Sequence, residues 1–227
     1  YRVYRYDATE DKYVYLKSTK SRSYSDEDVR SGKTYQYRVR CYWTIGGTNY
    51  YGNYSSVVSV TTPPAKVSSV NTAKKSSTYL TLSWKKVSGA SGYRVYKYNT
   101  KTKAYEKVTT IASGSTTSYK VTGLASATEY QFKVRAYKKA EDGNVWGSSS
   151  VVYKESTNPS KTKNLKLSTK SSAVTLSWSK VARSSGYAVY RYDSKTKKYV
   201  RIATVKSGKT VTYKDAKLKK GSTKHYK

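Results

Sequence analysis

Gly92-Tyr-Arg-Val-Tyr-Lys-Tyr98 returns as Gly186-Tyr-Ala-Val-Tyr-Arg-Tyr192, and its last six positions return again as Tyr1-Arg-Val-Tyr-Arg-Tyr6. Tyr93 and Val95 alternate with Arg94, Tyr96 and Tyr98, a period of two that reads as a strand with one apolar face. Other landmarks keep the same register: Trp84 recurs at Trp178, Tyr13 at Tyr105 and Tyr199, and Tyr24 at Tyr119 and Tyr213, a period near 94 residues. Repeats that need their neighbours for a core run about 20–50 residues, so this period is a whole domain.

Working outward, Leu80, Leu82 and Trp84 alternate with Thr81 and Ser83, and Val174, Leu176 and Trp178 repeat the pattern. Asn99-Thr-Lys-Thr-Lys103 and Asp193-Ser-Lys-Thr-Lys197 are polar turns, with Asp7 at the same first position. Further strands are expected over 105–111, 118–121, 130–137 and 149–155. Short strands with turn signals about every 8–12 residues predict an all-β fold of tandem antiparallel seven-stranded β-sandwiches. Thr61-Thr-Pro-Pro-Ala65 and Ser156-Thr-Asn-Pro-Ser160 mark the boundaries. The expected modules are 1–62, lacking its first two strands, 63–157, complete, and 158–227, lacking its last strand. The linkers are short and not glycine-rich, which predicts an end-to-end rod. The partial end modules lead to the expectation that the chain is a window of a longer array.

These residues resemble the fibronectin type III domain. The resemblance rests on the strand-B tryptophans Trp84 and Trp178, the Gly-Tyr-x-Val-Tyr strand, and the run Leu124, Tyr130, Phe132, Val134, Ala136. The first module answers that run with Val29, Tyr35, Tyr37, Val39 and Cys41. It implies that Tyr35 and Tyr130 are corner tyrosines whose hydroxyls return to upstream backbone; Lys224 holds the aligned position in the third module. The Tyr-, Lys- and Ser-rich, Met-free composition is similar to repeats of large secreted or wall-attached proteins of Gram-positive bacteria, which implies an extracellular, cell-surface setting.

Forty-five Lys and Arg against 13 Asp and Glu give a net charge of +32, a field that attracts polyanions and also keeps a long array soluble. No apolar run is long enough for a membrane span, so membrane insertion is not expected. The single cysteine, Cys41, rules out an internal disulfide framework, and its register equivalent, Ala136, predicts a small buried side chain.

Candidate chemistry is sparse. His225, the only histidine, has no nucleophile motif beside it and reads as an ordinary strand residue. No metal-ligand spacing, phosphate loop or nucleophile elbow is present, so neither catalysis nor a cofactor is expected. Asp26-Glu27-Asp28 supplies oxygen ligands for calcium, but lacks the loop spacing that calcium needs and reads as a turn. The 27 tyrosines against one phenylalanine are the stronger signal. Arg94, Tyr96 and Tyr98 are expected to share an outer face with Gln131, Lys133, Arg135 and Tyr137. Such a face can stack sugars and hold anions, or serve the sheet alone through cross-strand pairs. Trp43 and Trp146 are expected around the loop joining the last two strands, as glycan or protein anchors or as packing over the sandwich end.

The leading expectation is a non-catalytic structural and adhesive spacer of a bacterial surface protein, touching anionic wall polymers or glycans. The alternatives are accessory modules of a secreted polysaccharide or peptidoglycan hydrolase, or a filament segment completed by neighbouring chains. With no recognition motif for nucleic acid, a specific nucleic-acid partner is not expected.

Overall fold

The alternation read from the sequence becomes 19 strands in the computed structural model, which describes all 227 residues. No helix is long and apolar enough to cross a membrane. The first repeat contains β1 (Arg2–Asp7), β2 (Lys12–Ser18), β3 (Thr34–Arg40), β4 (Tyr42–Ile45), β5 (Thr48–Tyr51) and β6 (Val58–Thr61). Four of these form an antiparallel sheet in the order β2-β1-β3-β6, and β4 with β5 forms a separate hairpin.

The middle repeat adds β7 (Asn71–Lys75), β8 (Leu80–Ser83), β9 (Gly92–Asn99), β10 (Ala104–Ile111), β11 (Ser118–Val121), β12 (Glu129–Ala140), β13 (Gly143–Ser149) and β14 (Tyr153–Ser156). Its sheets have the orders β11-β8-β7 and β10-β9-β12-β13, with β14 on β12. The third repeat holds β15 (Lys166–Lys170), β16 (Ala173–Ser177), β17 (Tyr187–Asp193), β18 (Lys198–Val205) and β19 (Thr212–Asp215), in sheets β15-β16-β19 and β17-β18. There Leu176 and Trp178 meet Val189 in one buried cluster, with Tyr187, Ile202, Val205 and Tyr213 packed around it. The two sheets of this repeat therefore close on one another by burying the apolar half of each alternation.

By internal contacts the chain divides into two compact units, Tyr1–Asn71 with Ser83–Ser118 and Gln131–Tyr153, and Thr72–Leu82 with Tyr119–Tyr130 and Lys154–Lys227.

The strand expected over 149–155 is broken, and the middle repeat has eight strands where seven were expected. Ser150 is the reason: its backbone N–H reaches the Val134 carbonyl at 2.8 Å, while its Oγ accepts the Val134 N–H at 3.0 Å. Ser55 repeats this against Val39, at 2.7 and 3.0 Å. One serine thus takes both hydrogen bonds of the opposing residue, and the ladder restarts beyond it. Cys41, expected inside, is exposed, because it lies between β3 and β4 on a face where Val39 is also 39% exposed. Ala136, its equivalent, is fully buried.

Corner hydroxyls accept backbone N–H groups, Arg30 to Tyr35 at 2.7 Å and Ala125 to Tyr130 at 2.8 Å. The glycine that opens the repeated string is required for space. A Cβ on Gly92 would stand 2.2 Å from the Ile111 carbonyl oxygen and 2.6 Å from the Tyr137 hydroxyl, and one on Gly186 would stand 2.2 Å from the Val205 carbonyl oxygen. Gly92→Ala and Gly186→Ala are each expected to cost about 2–3 kcal/mol by overpacking, measured by urea unfolding. A loss under about 0.5 kcal/mol at either site would contradict the close approach.

Candidate functional site: a repeated cation–aromatic face

Register decides which side chains share a face. On β9 and β12, Arg94 lies opposite Arg135, Tyr96 opposite Lys133, and Gly92 opposite Tyr137. In the first repeat β1 and β3 pair in the same way, with Arg2 opposite Arg40 and Tyr4 opposite Arg38. Positions two apart fall on one side of a strand, so both repeats carry a row of cations and aromatics on the face away from Val95 and Val134, or Val3.

The middle repeat gathers Arg94, Arg135, Tyr137 and Trp146 into one cluster. The Arg94 and Arg135 guanidiniums lie 4.1 and 5.5 Å from the Trp146 ring, which stacks at 4.9 Å on Tyr137. Arg94 also donates to Thr110 Oγ1 at 3.1 Å, and Arg135 to the Gly147 carbonyl. Lys133 is held apart over Tyr105 at 4.2 Å, and Tyr105 packs on Tyr98 at 5.2 Å. Trp146 is not in a loop but on β13, opposite Tyr137. Trp43 is likewise a strand residue, on β4 opposite Tyr50. It is 73% exposed, with Tyr42 and Tyr51 on the hairpin's other face.

The first repeat builds a longer version that sequence reasoning did not single out. Arg38 lies 4.2 Å from the Tyr13 ring and 3.7 Å from Tyr54; Arg40 lies 4.7 Å from Tyr54 and 3.9 Å from Tyr51; Arg2 lies 4.7 Å from Tyr51 and 5.3 Å from Tyr15. Cation and ring alternate without a gap. Tyr51 takes the place of Trp146, and Tyr54, from the segment after β5, bridges what are two separate groups in the middle repeat. The available signal was the repeat register itself, which superposes Arg2, Arg40 and Tyr51 on Arg94, Arg135 and Trp146. Cations also affect Tyr4: burial raises its hydroxyl pKa, but hydrogen bonds with Arg40, Tyr54 and Arg2 together outweigh that and bring it below the ordinary value.

Asp26 of the acid cluster takes partners that the sequence reading did not specify. Asp26 accepts Arg5 Nη1 at 2.8 Å and the Tyr37 hydroxyl at 2.7 Å. Asp215 accepts Arg191 Nη1 at 2.8 Å and the Tyr226 hydroxyl at 2.9 Å. The register that places Tyr24 on Tyr213 also places Asp26 on Asp215. In the middle repeat the same three positions are Lys97, Val121 and Phe132. The ion pair and the hydroxyl are therefore replaced together, as expected when an acid in a partly desolvated site needs both donors. Burial first, then the bond to the carboxylate, pushes the Tyr37 and Tyr226 hydroxyls up to about 12. Burial pulls Asp26 upward, but the Tyr37 and Arg5 bonds prevail and hold it below the usual carboxylate range.

Asp215→Val alone should cost about 2–3 kcal/mol, less than the ~3–5 of a fully buried pair, because the Arg191 side chain keeps 33% exposure. Combining it with Arg191→Lys and Tyr226→Phe, the middle repeat's trio, should recover most of the loss; purely additive losses would refute the coupling. Tyr37 and Tyr226 hold their protons more tightly when folded. Their contribution to stability is thus full below about pH 10 and lost as pH rises through about 12. Denaturation midpoints recorded against pH should show that loss shrinking in Tyr226→Phe.

A family model of the fibronectin type III domain matches residues 63–152. Among solved structures, the chain is similar to the chicken CNTN1 FN1–FN3 domains, with 20% identity over 100% of this chain and 83% of that one at a TM-score of 0.39. It is similar also to a two-domain segment of chicken tenascin, with 23% identity over 68% and 83% at 0.40, and to a domain of human fibronectin type III domain containing protein 3, with 24% identity over 44% and 92% at 0.37. The fold is all-β, of tandem fibronectin type III-like domains built from antiparallel sheets.

Proposed function

We propose that the chain is a non-catalytic structural and adhesive segment of a large extracellular surface protein of a Gram-positive bacterium, in which the modules 1–62, 63–157 and 158–227 space other domains and hold them near anionic wall polymers. The observation that carries this reading is how the positive charge is arranged. Arg5, Lys12, Lys75 and Arg191 stand within ion-pair distance of a carboxylate, and 13 Asp and Glu are too few to pair most of the 45 Lys and Arg. Others, among them Arg38, Arg40, Arg94 and Lys133, are laid on aromatic rings in rows that recur from repeat to repeat. A sandwich scaffold presenting cations that its own acids leave unpaired suits contact with a polyanion through counterion release.

A second reading, accessory modules of a secreted polysaccharide or peptidoglycan hydrolase, draws on the β4–β5 hairpin. Trp43, Ile45 and Tyr50 there are 73%, 59% and 59% exposed, an apolar surface suited to stacking on sugar rings.

Sedimentation of the chain with isolated Gram-positive cell walls separates the two. The spacer reading expects retention on intact walls that falls steeply with salt and disappears once anionic polymers are stripped. Salt-insensitive retention on stripped peptidoglycan, lost in Trp43→Ala, would favour the accessory reading, and absence of retention on either wall would sink both.

A further inference from the structure

Three arginines of the first repeat, Arg2, Arg38 and Arg40, form one row on tyrosine rings without a carboxylate partner. Arg5 and Arg191 are neutralised by Asp26 and Asp215. Arg94 and Arg135 stack on Trp146, but each also has an oxygen acceptor, at Thr110 and Gly147. Arg2, Arg38 and Arg40 have no carboxylate within ion-pair distance. Arg40 spends its Nε on the Tyr4 hydroxyl at 3.0 Å, whereas Nε of Arg2 and of Arg38 is buried with no hydrogen-bond partner at all. The rings offset part of the desolvation of these charges, but they supply no hydrogen-bond acceptor to the two buried Nε groups. Each of these side chains nevertheless keeps part of its surface in solvent, so the charge can be met from outside.

We infer that this face, the row Tyr13–Arg38–Tyr54–Arg40–Tyr51–Arg2, is a docking strip for the phosphate groups of a linear polyanion; the inference rests on the reading that the chain contacts anionic polymers and assigns the contact to these residues. The tyrosine rings hold three guanidiniums in place before any ligand arrives. The entropy of ordering long side chains, roughly 0.5–1.5 kcal/mol each on binding, is thereby largely prepaid. A guanidinium fork donates two parallel N–H bonds to two oxygens of one phosphate, a geometry an ammonium lacks. This distinguishes the strip from the solvated lysines elsewhere. Because ring faces are engaged by guanidinium groups, little aromatic surface remains there to stack on a neutral sugar. The strip therefore reads oxyanions rather than carbohydrate rings, and Tyr51 and Tyr54, 39% and 38% exposed, form its rim. The middle repeat has the same scaffold but Lys133 for Arg38 and Ser149 for Tyr54, so its row is interrupted and its arginines are already partnered.

The test uses the whole chain and long-chain inorganic polyphosphate as the probe, titrated at several salt concentrations. The triple variant Arg2→Gln, Arg38→Gln, Arg40→Gln is compared with Lys163→Gln, Lys166→Gln, Lys170→Gln, which removes the same charge from exposed positions. The expected result is at least a tenfold loss of affinity for the arginine variant, with a salt slope lower by about 2–3, against less than threefold for the lysine variant. A parallel titration of the unmodified chain, followed by arginine side-chain NMR signals, should move Arg2, Arg38 and Arg40 while Arg94 and Arg191 stay. That arm keeps the inference falsifiable if the arginine variant does not fold. Equal losses in the two variants, or shifts confined to other residues, would overturn the assignment while leaving polymer binding intact. Failure of the unmodified chain to bind polyphosphate at all would instead overturn the anionic-polymer reading on which it rests. Single-stranded DNA of matched charge binding tenfold more tightly would overturn it in favour of a nucleic-acid surface.

Discussion

A tyrosine hydroxyl at the start of the repeated string fixes where everything else falls. Tyr93 Oη accepts the Val87 N–H at 2.9 Å and donates to the Gly114 carbonyl at 3.3 Å, with its ring edge-on to Trp84 at 5.4 Å. Tyr187 repeats the arrangement with Val181 at 3.0 Å, Gly208 at 3.2 Å and Trp178 at 5.2 Å. Tyr93, fully buried with two backbone partners at its polar tip, cannot slide along the sheet without leaving those groups unpaired. Since a slip of one residue would exchange the two faces of the strand, this anchor is what keeps Val95 inside and Arg94 outside. The adjoining glycine completes the constraint by letting the Ile111 carbonyl and the Tyr137 ring approach β9 where a side chain would collide.

What was readable in the sequence follows from that anchor. Alternation, the polar turns and the proline-marked boundaries are local signals, and strand positions such as Ser118–Val121 follow from them directly. The turns also recur in detail: Asp7, Asn99 and Asp193 each accept a backbone N–H two residues on, at 2.8, 2.9 and 3.0 Å. That Arg94 and Tyr96 share a face with Lys133 and Arg135 was readable from alternation, whereas which residue stands opposite which comes from the folded register. The interruption at Ser150 was not, since a serine that takes both hydrogen bonds of the opposing residue looks in sequence like any strand serine. The placement of Trp146 failed for a related reason, because nothing local says that β12 runs on to Ala140 before the chain turns. Nor was the triad of Arg191, Asp215 and Tyr226 visible, since its members are 11 to 35 positions apart and only the folded register brings them together.

The triad and the outer rows solve one problem in two ways. A chain with 45 cations and 13 acids cannot pair most of its positive charge with carboxylates. Where a cation lies on the face with Asp26 or Asp215, an acid and a tyrosine hydroxyl close around it. Where it lies on the outer face, tyrosine supplies the ring instead, a contact worth about 0.5–2 kcal/mol that introduces no negative charge. An abundance of tyrosine in place of phenylalanine fits both uses, because the same residue offers a hydroxyl in one setting and an electron-rich face in the other.

That division bears on how the array keeps its charge. A guanidinium paired with aspartate is electrostatically spent, and at any distance beyond the ~8–10 Å screening length it contributes little to the surrounding field. A guanidinium laid on a tyrosine ring is ordered yet retains its full charge. Lys133 over Tyr105, Arg38 over Tyr13 and Lys227 over Tyr199, at 4.2, 4.2 and 4.5 Å, place such a cation at the same position in all three repeats. Substituting acids for these rings would give comparable order and erase the charge. The aromatic solution therefore makes sense for a protein in which the positive field itself is what the fold has to preserve.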